Sequence, residues 1–286
     1  MPEFPPANRI IHRAADRSTP KLARLLREAL KGLDIQGLAP ILERGNITEV
    51  MRSLGLTLDD ASRKELAAVL QKVYQDAALP TAASLKMDFA IPNSRAIRWA
   101  DQRAGLLITE VDAQTIRSIS DIVARGIEEG MPPRAQARHI RSLIGLTERW
   151  TKAVDNFFSD LPKDTAKELK RAERLRDRYA ARLLRKRAEV IARTETLRAA
   201  GEGQLQMWKE AEQSGLIDLS VTGRKWLVTN DDRLCAWCMS LNGAIIAFDG
   251  VWTTRLEGSG RQFTSLTPPV HPQCRCDEVL VDLAPV

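Results

Sequence analysis

Long hydrophobic runs are missing from this chain of 286 residues. No stretch approaches the roughly 18 apolar residues that span a bilayer. The opening Met1-Pro-Glu-Phe-Pro-Pro lacks the basic and apolar segments of a secretory leader. We therefore expect no membrane partner and synthesis in a reducing cytoplasm. Aromatic residues are scarce, at 5%, while 28% of residues are charged, a mix that favours helices over a β-sandwich. Catalytic signatures are also missing: there is no Walker loop, G-x-G-x-x-G, G-x-S-x-G elbow or H-E-x-x-H, and no H-x-E to accompany a deaminase-like C-x-x-C. Asp231, Asp232 and His271 can be pictured as a nuclease site, but Asp232 is more simply a turn residue. We read the chain as a non-enzyme.

Sulfur is rare but not scattered. All four cysteines and one of the three histidines fall within 42 positions, as Cys235-Ala-Trp-Cys238 and His271-Pro-Gln-Cys274-Arg-Cys276. Two donors three residues apart suit a tight turn aimed at one ion, and two such groups complete a tetrahedral site. Five candidates, Cys235, Cys238, His271, Cys274 and Cys276, compete for four positions. His271-x-x-Cys274 has turn spacing, while Cys274 and Cys276 share a face if extended. Two disulfides are the alternative, and a reducing compartment disfavours them. One structural zinc is the expectation.

These residues also carry a resemblance. The run Lys225-Trp-Leu-Val-Thr-Asn-Asp-Asp-Arg-Leu-Cys235-Ala-Trp-Cys238, then Leu241-Asn-Gly243, then Pro269-Val-His271-Pro-Gln-Cys274-Arg-Cys276 resembles the C-terminal signature of the phage head-morphogenesis family, the minor head proteins similar to the F protein of phage Mu. It covers residues 221 to 282 well, with a looser match at Arg193-Thr-Glu195 and from about Ala100 onward; the first 95 residues show none. The resemblance implies a minor component of a tailed-phage head, made in the host cytoplasm, carried in the virion near the portal vertex, and needed for head assembly, DNA packaging or DNA delivery. Its implied partners are the portal protein, the major capsid or scaffold protein, and phage DNA. Two alternatives stay open: a zinc-ribbon nucleic-acid-binding protein outside any virion, and a domain accompanying a toxin.

Charge is unevenly spread. From Lys163 to Arg187 there are 11 basic and four acidic residues, a balance of +7 against +6 for the whole chain. Any attraction to nucleic acid is thus concentrated in one element. That element, residues 163–200, has neither proline nor glycine, and Leu169, Ala172, Leu175, Tyr179 and Leu183 keep helical steps. It predicts a helix longer than about 50 Å at about 1.5 Å per residue. Lys170, Arg171, Arg174, Arg178, Arg182, Arg185 and Lys186 are its candidate DNA contacts. The other reading is a solvated face paired with Glu168, Glu173 and Asp177. Arg193 and Glu195, two apart and so on different sides of the helix, are read as ion-pair partners locking it to the C-terminal module.

Elsewhere the pattern predicts a loose arm over residues 1 to 20, a helix from Pro20 to Leu30, short apolar segments at Leu38–Leu42 and Ile47–Leu54, and a helix from Asp59 to Leu79 stopped by Pro80. Thr81–Ala90 reads as a further helix, followed by a boundary at Ile91-Pro92-Asn93. Helices then follow at Arg95–Leu107, from Thr109-Glu-Val-Asp112 to Ile127, after Pro132-Pro133 with Ala137, Ile140, Leu143 and Ile144 inward, and at Thr147–Phe158. His139 reads as a packing or surface residue. Gly201 and Gly203 permit a bend or close packing, and Gly215 ends the helical part. Beyond it, strands are expected at Lys225–Thr229, Ala244–Phe248 and Val279–Val281, with Asn242-Gly243 as a hairpin turn and 258–269 as an irregular excursion. Trp226, Trp237 and Trp252 are expected to pack this module. The fold class is mainly α, an extended helical region with one long helix, plus a small C-terminal α+β or β zinc-bound module. The proposed domains are 1–95, 96–220 and 221–286.

Overall fold

The computed structural model describes residues 7–31, 60–89, 93–128, 143, 145–162 and 168–283. The expected segments at Leu38–Leu42 and Ile47–Leu54, the helix after Pro132-Pro133 apart from Leu143, His139, and residues 163–167 lie outside them. Five long helices are described: α1 (Ala7–Lys31), α2 (Asp60–Ser84), α3 (Ser94–Glu128), α4 (Glu148–Ser159) and α5 (Leu169–Gln213). A strand region follows, with β1 (Thr222–Leu227), the short α6 (Ala236–Met239), β2 (Ile245–Ala247), β3 (Trp252–Arg255), β4 (Gln262–Ser265) and β5 (Asp277–Asp282). The protein is thus mostly helical, with one long helix and a small C-terminal strand region.

Several expected breaks are absent. The loose arm is corrected from Ala7 onward: α1 runs through Pro20. Both Pro20 and Asp16, whose carbonyl loses its partner, are exposed, so water replaces the missing bond. Ala14, Ala15, Ser18, Leu22, Leu25 and Leu26 form its buried stripe. Likewise α2 passes Pro80 and absorbs the start of the expected Thr81–Ala90 helix. It ends where Lys86 takes φ 56° and Met87 N–H reaches back to Ala82 O at 2.9 Å.

The expected division near Thr109 is also overturned. Thr109 does not cap a new helix; its hydroxyl donates to Gly105 O, 3.1 Å, one turn back. The stripe Ala96, Ala100, Ala104, Leu107, Val111, Thr115, Ile119 and Ile122 keeps one face buried throughout α3. Asn93 starts that helix, its side-chain oxygen accepting from the backbone N–H groups of Arg95 and Ala96, each at 3.0 Å, an N-cap.

The 45 residues of α5 give a helix of about 67 Å. It crosses Gly201 and Gly203 without a break, so these glycines serve packing rather than bending. A Cβ at Gly203 would lie 2.3 Å from Tyr74 O, and one at Gly201 would lie 2.8 Å from Pro268 O. Gly215, at φ 70°, ends the helical part as expected, with Leu216 N–H returning to Ala211 O at 2.9 Å.

Two compact units are drawn from interleaved stretches: Met1–Leu22, Leu66–Gln102 and Val190–Val286 form one, and Ala23–Glu65 and Arg103–Glu189 the other. In the second, buried Arg187 donates to Gln114 Oε1 at 2.9 Å and to Gly145 O, and Ser118 and Thr151 share a hydroxyl hydrogen bond of 2.9 Å. In the first, the strands form an antiparallel sheet of order β2-β1-β5 and a separate β3-β4 hairpin. Arg224 pairs with Ile246 on one side and Leu280 on the other. The supposed excursion thus contains a hairpin, Trp252↔Ser265 to Arg255↔Gln262, with Gly258 and Gly260 at positive φ in its turn.

Candidate metal centre

Two turns bring the sulfur and imidazole donors together. Cys235 occupies the N-cap of α6, and Met239 N–H bonds Cys235 O at 3.0 Å, so one helical turn points Cys235 and Cys238 the same way. The second turn closes from Cys274 N–H to His271 O at 3.1 Å and needs the left-handed φ of 64° at Gln273. His271 Nε2 lies 3.1 Å from Cys235 Sγ and 3.0 Å from Cys238 Sγ, and Cys238 Sγ lies 3.6 Å from Cys274 Sγ. Donor atoms of Cys235, Cys238 and His271 fall within 4.8 Å of one another, as do those of Cys238, Cys274 and Cys276. All four cysteines are free thiols, so the disulfide alternative is not the arrangement seen.

This donor set fits a metal ion. Tetrahedral bonds to sulfur and nitrogen at about 2.3 and about 2.0 Å place ligand atoms roughly 3.5–3.8 Å apart; the 3.6 Å between the Cys238 and Cys274 sulfurs matches, and the sulfur–nitrogen separations of 3.1 and 3.0 Å are tighter. The thiols also act on one another's charge. Hydrogen bonds from Cys238 and Cys276 drive Cys274 down, to about 2. Hydrogen bonds with Cys274 and Cys276, together with burial, drive Cys238 up. Cys276 also rises, to about 12, because its bond with Cys238, which lowers it, is outweighed by the bond with Cys274 and by burial. Without an ion, one thiolate is stabilised at its neighbours' expense. A metal removes that competition by deprotonating its ligands outright.

The surroundings orient the donors. His271 Nδ1 lies 2.8 Å from Pro272 O. A carbonyl only accepts, so Nδ1 carries the proton and Nε2 presents its lone pair to the sulfurs, the arrangement expected around a ligating imidazole. Arg275, between two of the cysteines, makes a bidentate pair with Asp231, and that guanidinium holds the Asp231 carboxyl down to about 2. Thr229 Oγ1 donates to Arg275 O at 2.6 Å. Thus Asp231, which the sequence offered as part of a pictured nuclease site, fastens the two halves of the motif together.

Beneath the site lies a buried network whose partners are too far apart in sequence to suggest one another. Arg224 Nη1 bonds Glu278 Oε2 at 3.0 Å and Leu266 O at 2.6 Å, and Nη2 bonds Gly250 O. Trp252 Nε1–H donates to Glu278 Oε2 at 2.6 Å. Burial pushes Glu278 up to about 7 despite its guanidinium partner, and pushes the adjacent Asp277 up to about 8. Of the three tryptophans, Trp226 and Trp252 are buried and meet edge to face with centroids 5.0 Å apart. Trp237 is half-buried against Phe263.

Arg193 and Glu195 lie elsewhere on α5. Arg193 bonds Asp16 of α1 at 2.9 Å and Glu195 bonds Arg198 on its own helix at 2.7 Å. The bond from this stretch to the metal loop that sequence reasoning missed is Thr194 Oγ1, which accepts from Gln273 N–H at 3.3 Å. In the other compact unit, Lys170, Arg171, Arg174, Arg178, Arg182, Arg185 and Lys186 are all exposed on α5. Arg171 approaches Glu168 at 3.9 Å and Arg182 covers the Tyr179 ring. Among the described residues, the other five show no ion pair.

A long helical scaffold leading into a strand module closed by Cys and His turns defines a structural class, and comparison gives it a family. A family model described as phage Mu protein F like matches residues 117–279, more than half of the chain and all five candidate donors. The chain therefore belongs to the phage Mu protein F-like family of phage head-morphogenesis proteins. Searches of curated proteins and of solved structures found no match. No described helix is long and apolar enough to cross a membrane.

Proposed function

We propose that this chain is a minor head protein of a tailed phage, carried in the virion at the portal vertex, with a structural zinc bracing its C-terminal module. The family match across residues 117–279 carries the reading. The donor set supports zinc: thiolates with an imidazole suit it, and a set that fills four positions with protein atoms leaves none open for catalysis. The helical part docks on the portal, with capsid or scaffold subunits as further contacts. A reconstruction of assembled particles tests this. Density for the chain at the portal vertex is expected, and its absence from particles overturns the proposal.

The exposed stripe on α5 supports an approach to packaged DNA. Five of its seven cations have neither a described carboxylate nor an aromatic ring as partner, and phosphate neutralisation by such cations supplies sequence-independent affinity. Titrating the purified protein with duplex DNA at two salt concentrations should give weak, salt-dependent binding. Replacing Arg174, Arg178, Arg182 and Arg185 with alanine should flatten the salt slope by about one for each phosphate no longer neutralised. An unchanged slope removes DNA from the partners. Tight binding with no portal co-purification favours a nucleic-acid-binding protein outside the virion.

A further inference from the structure

Five donors surround a site that takes four, and the fold sets one apart. Cys235 and Cys238 bracket one turn, and His271 and Cys274 bracket the other, closed at 3.1 Å from Cys274 N–H to His271 O. The short donor separations form a chain through these four: Cys235 to His271 at 3.1 Å, His271 to Cys238 at 3.0 Å, Cys238 to Cys274 at 3.6 Å. Cys276 belongs to neither turn. It immediately precedes β5, whose Asp277 is already in the ladder opposite Leu227, so its backbone is fixed by the sheet. Its side chain packs in the cluster with Trp226 and Trp252, as do those of Cys238 and Cys274, and its sulfur lies within 4.8 Å of both of theirs, so it is the backbone setting and not burial that separates it.

Charge argues the same way. A divalent ion with three thiolates and one imidazole leaves a net charge of minus one, and a fourth thiolate deepens it. Arg275, which stands between two of the cysteines in the chain, is already engaged by Asp231, and Cys238, Cys274 and Cys276 are buried. Uncompensated negative charge in such a place is costly.

We propose that a single ion is held by Cys235, Cys238, His271 and Cys274, while Cys276 remains outside as an uncoordinated thiol packed against Trp226. The proposal rests on the metal-binding reading above and fails separately from it. Full-length protein is purified under reducing conditions and loaded with zinc for X-ray absorption, or with cobalt(II) for optical spectroscopy. Three sulfurs and one nitrogen are expected around the ion. Cys276→Ser and Cys276→Ala should keep the full thiolate-to-cobalt charge-transfer intensity, whereas Cys235→Ser or Cys274→Ser should lose about a third of it, one of three sulfur bonds. Four sulfurs in the wild-type protein, or loss of a third of the band in the Cys276 variants, overturns the assignment. Four sulfurs in the wild-type protein overturn it even if those variants misfold, and the contrast between the Cys276 and Cys274 variants separates it from a three-sulfur site that uses Cys276 in place of Cys274. A protein that takes up no ion instead refutes the metal reading itself.

Discussion

Arg224 and Glu278 show how much of the strand module rests on single side chains. They stand 54 positions apart, both fully buried, with 3.0 Å between Nη1 and Oε2. Replacing a buried pair with apolar groups is often neutral, but removing one partner strands the other. Arg224→Met should therefore cost about 3–5 kcal/mol, read as a lower urea midpoint, because it leaves the Glu278 carboxyl, held otherwise among the described residues by the Trp252 indole, and frees the carbonyls of Gly250 and Leu266. A change below about 1 kcal/mol, the scale of an exposed pair, would show that the network adds little. This pair was invisible in the sequence, since nothing local distinguishes Arg224 or Glu278 from surface charges until β1 and β5 are laid side by side. The metal donors were legible for the opposite reason: each pair is three residues apart, so local geometry alone brings its members together. What the spacing left open was Asp231, whose link to Arg275 crosses between the two motifs.

At the scale of elements, the glycines of the helices separate packing from propensity. Gly203 and Gly105 both sit inside α-helices, where alanine is favoured by about 1 kcal/mol. Around Gly105 the nearest outside atom to an added Cβ is Arg63 Nε at 4.0 Å, whereas at Gly203 it is the Tyr74 carbonyl oxygen at 2.3 Å. Gly105→Ala should raise stability by about 0.5–1 kcal/mol. Gly203→Ala should lower it by about 1–3 kcal/mol as α5 is forced off the α2 backbone. Opposite signs in paired thermal melts check the argument; stabilisation by both would mean that α2 yields freely. The long helices were readable from their stripes but their ends were not. Pro20 and Pro80 looked like boundaries because proline's cost was assigned to the helix, and at Pro20 the unpaired carbonyl faces water. Thr109 looked like a cap because threonine bonds backbone in either setting, and only the structure shows it bonding backwards. The β3-β4 hairpin was hidden by its short strands of four residues each, which carry too little alternation to stand out between Gly250 and Pro268.

For the whole molecule, the strand module stands out for how much of its interior is sulfur. One buried cluster is Trp226, Cys238, Leu241, Trp252, Val270, Cys274 and Cys276, so three of its seven members are thiols whose packing depends on what they hold; a second joins Leu219 and Phe248 to Leu205 and Trp208 of α5. So small a core needs a cross-link, and an ion bound only by the folded state adds RT ln(1 + [L]/Kd), about 4 kcal/mol when free metal exceeds Kd a thousandfold. Chelation of the reduced protein should therefore act locally. Amide exchange should accelerate first in β1, β2 and β5, while the buried stretch of α3 from Leu107 to Ile122, in the other compact unit, keeps its protection. Cys235→Ser with Cys238→Ser should reproduce that pattern without chelator, since both changes remove donors from the same turn. Uniform acceleration would mean that the ion stabilises both units together. No change anywhere would mean that the tryptophans and the Arg224 network suffice, and that the clustered thiols have no structural ion to hold.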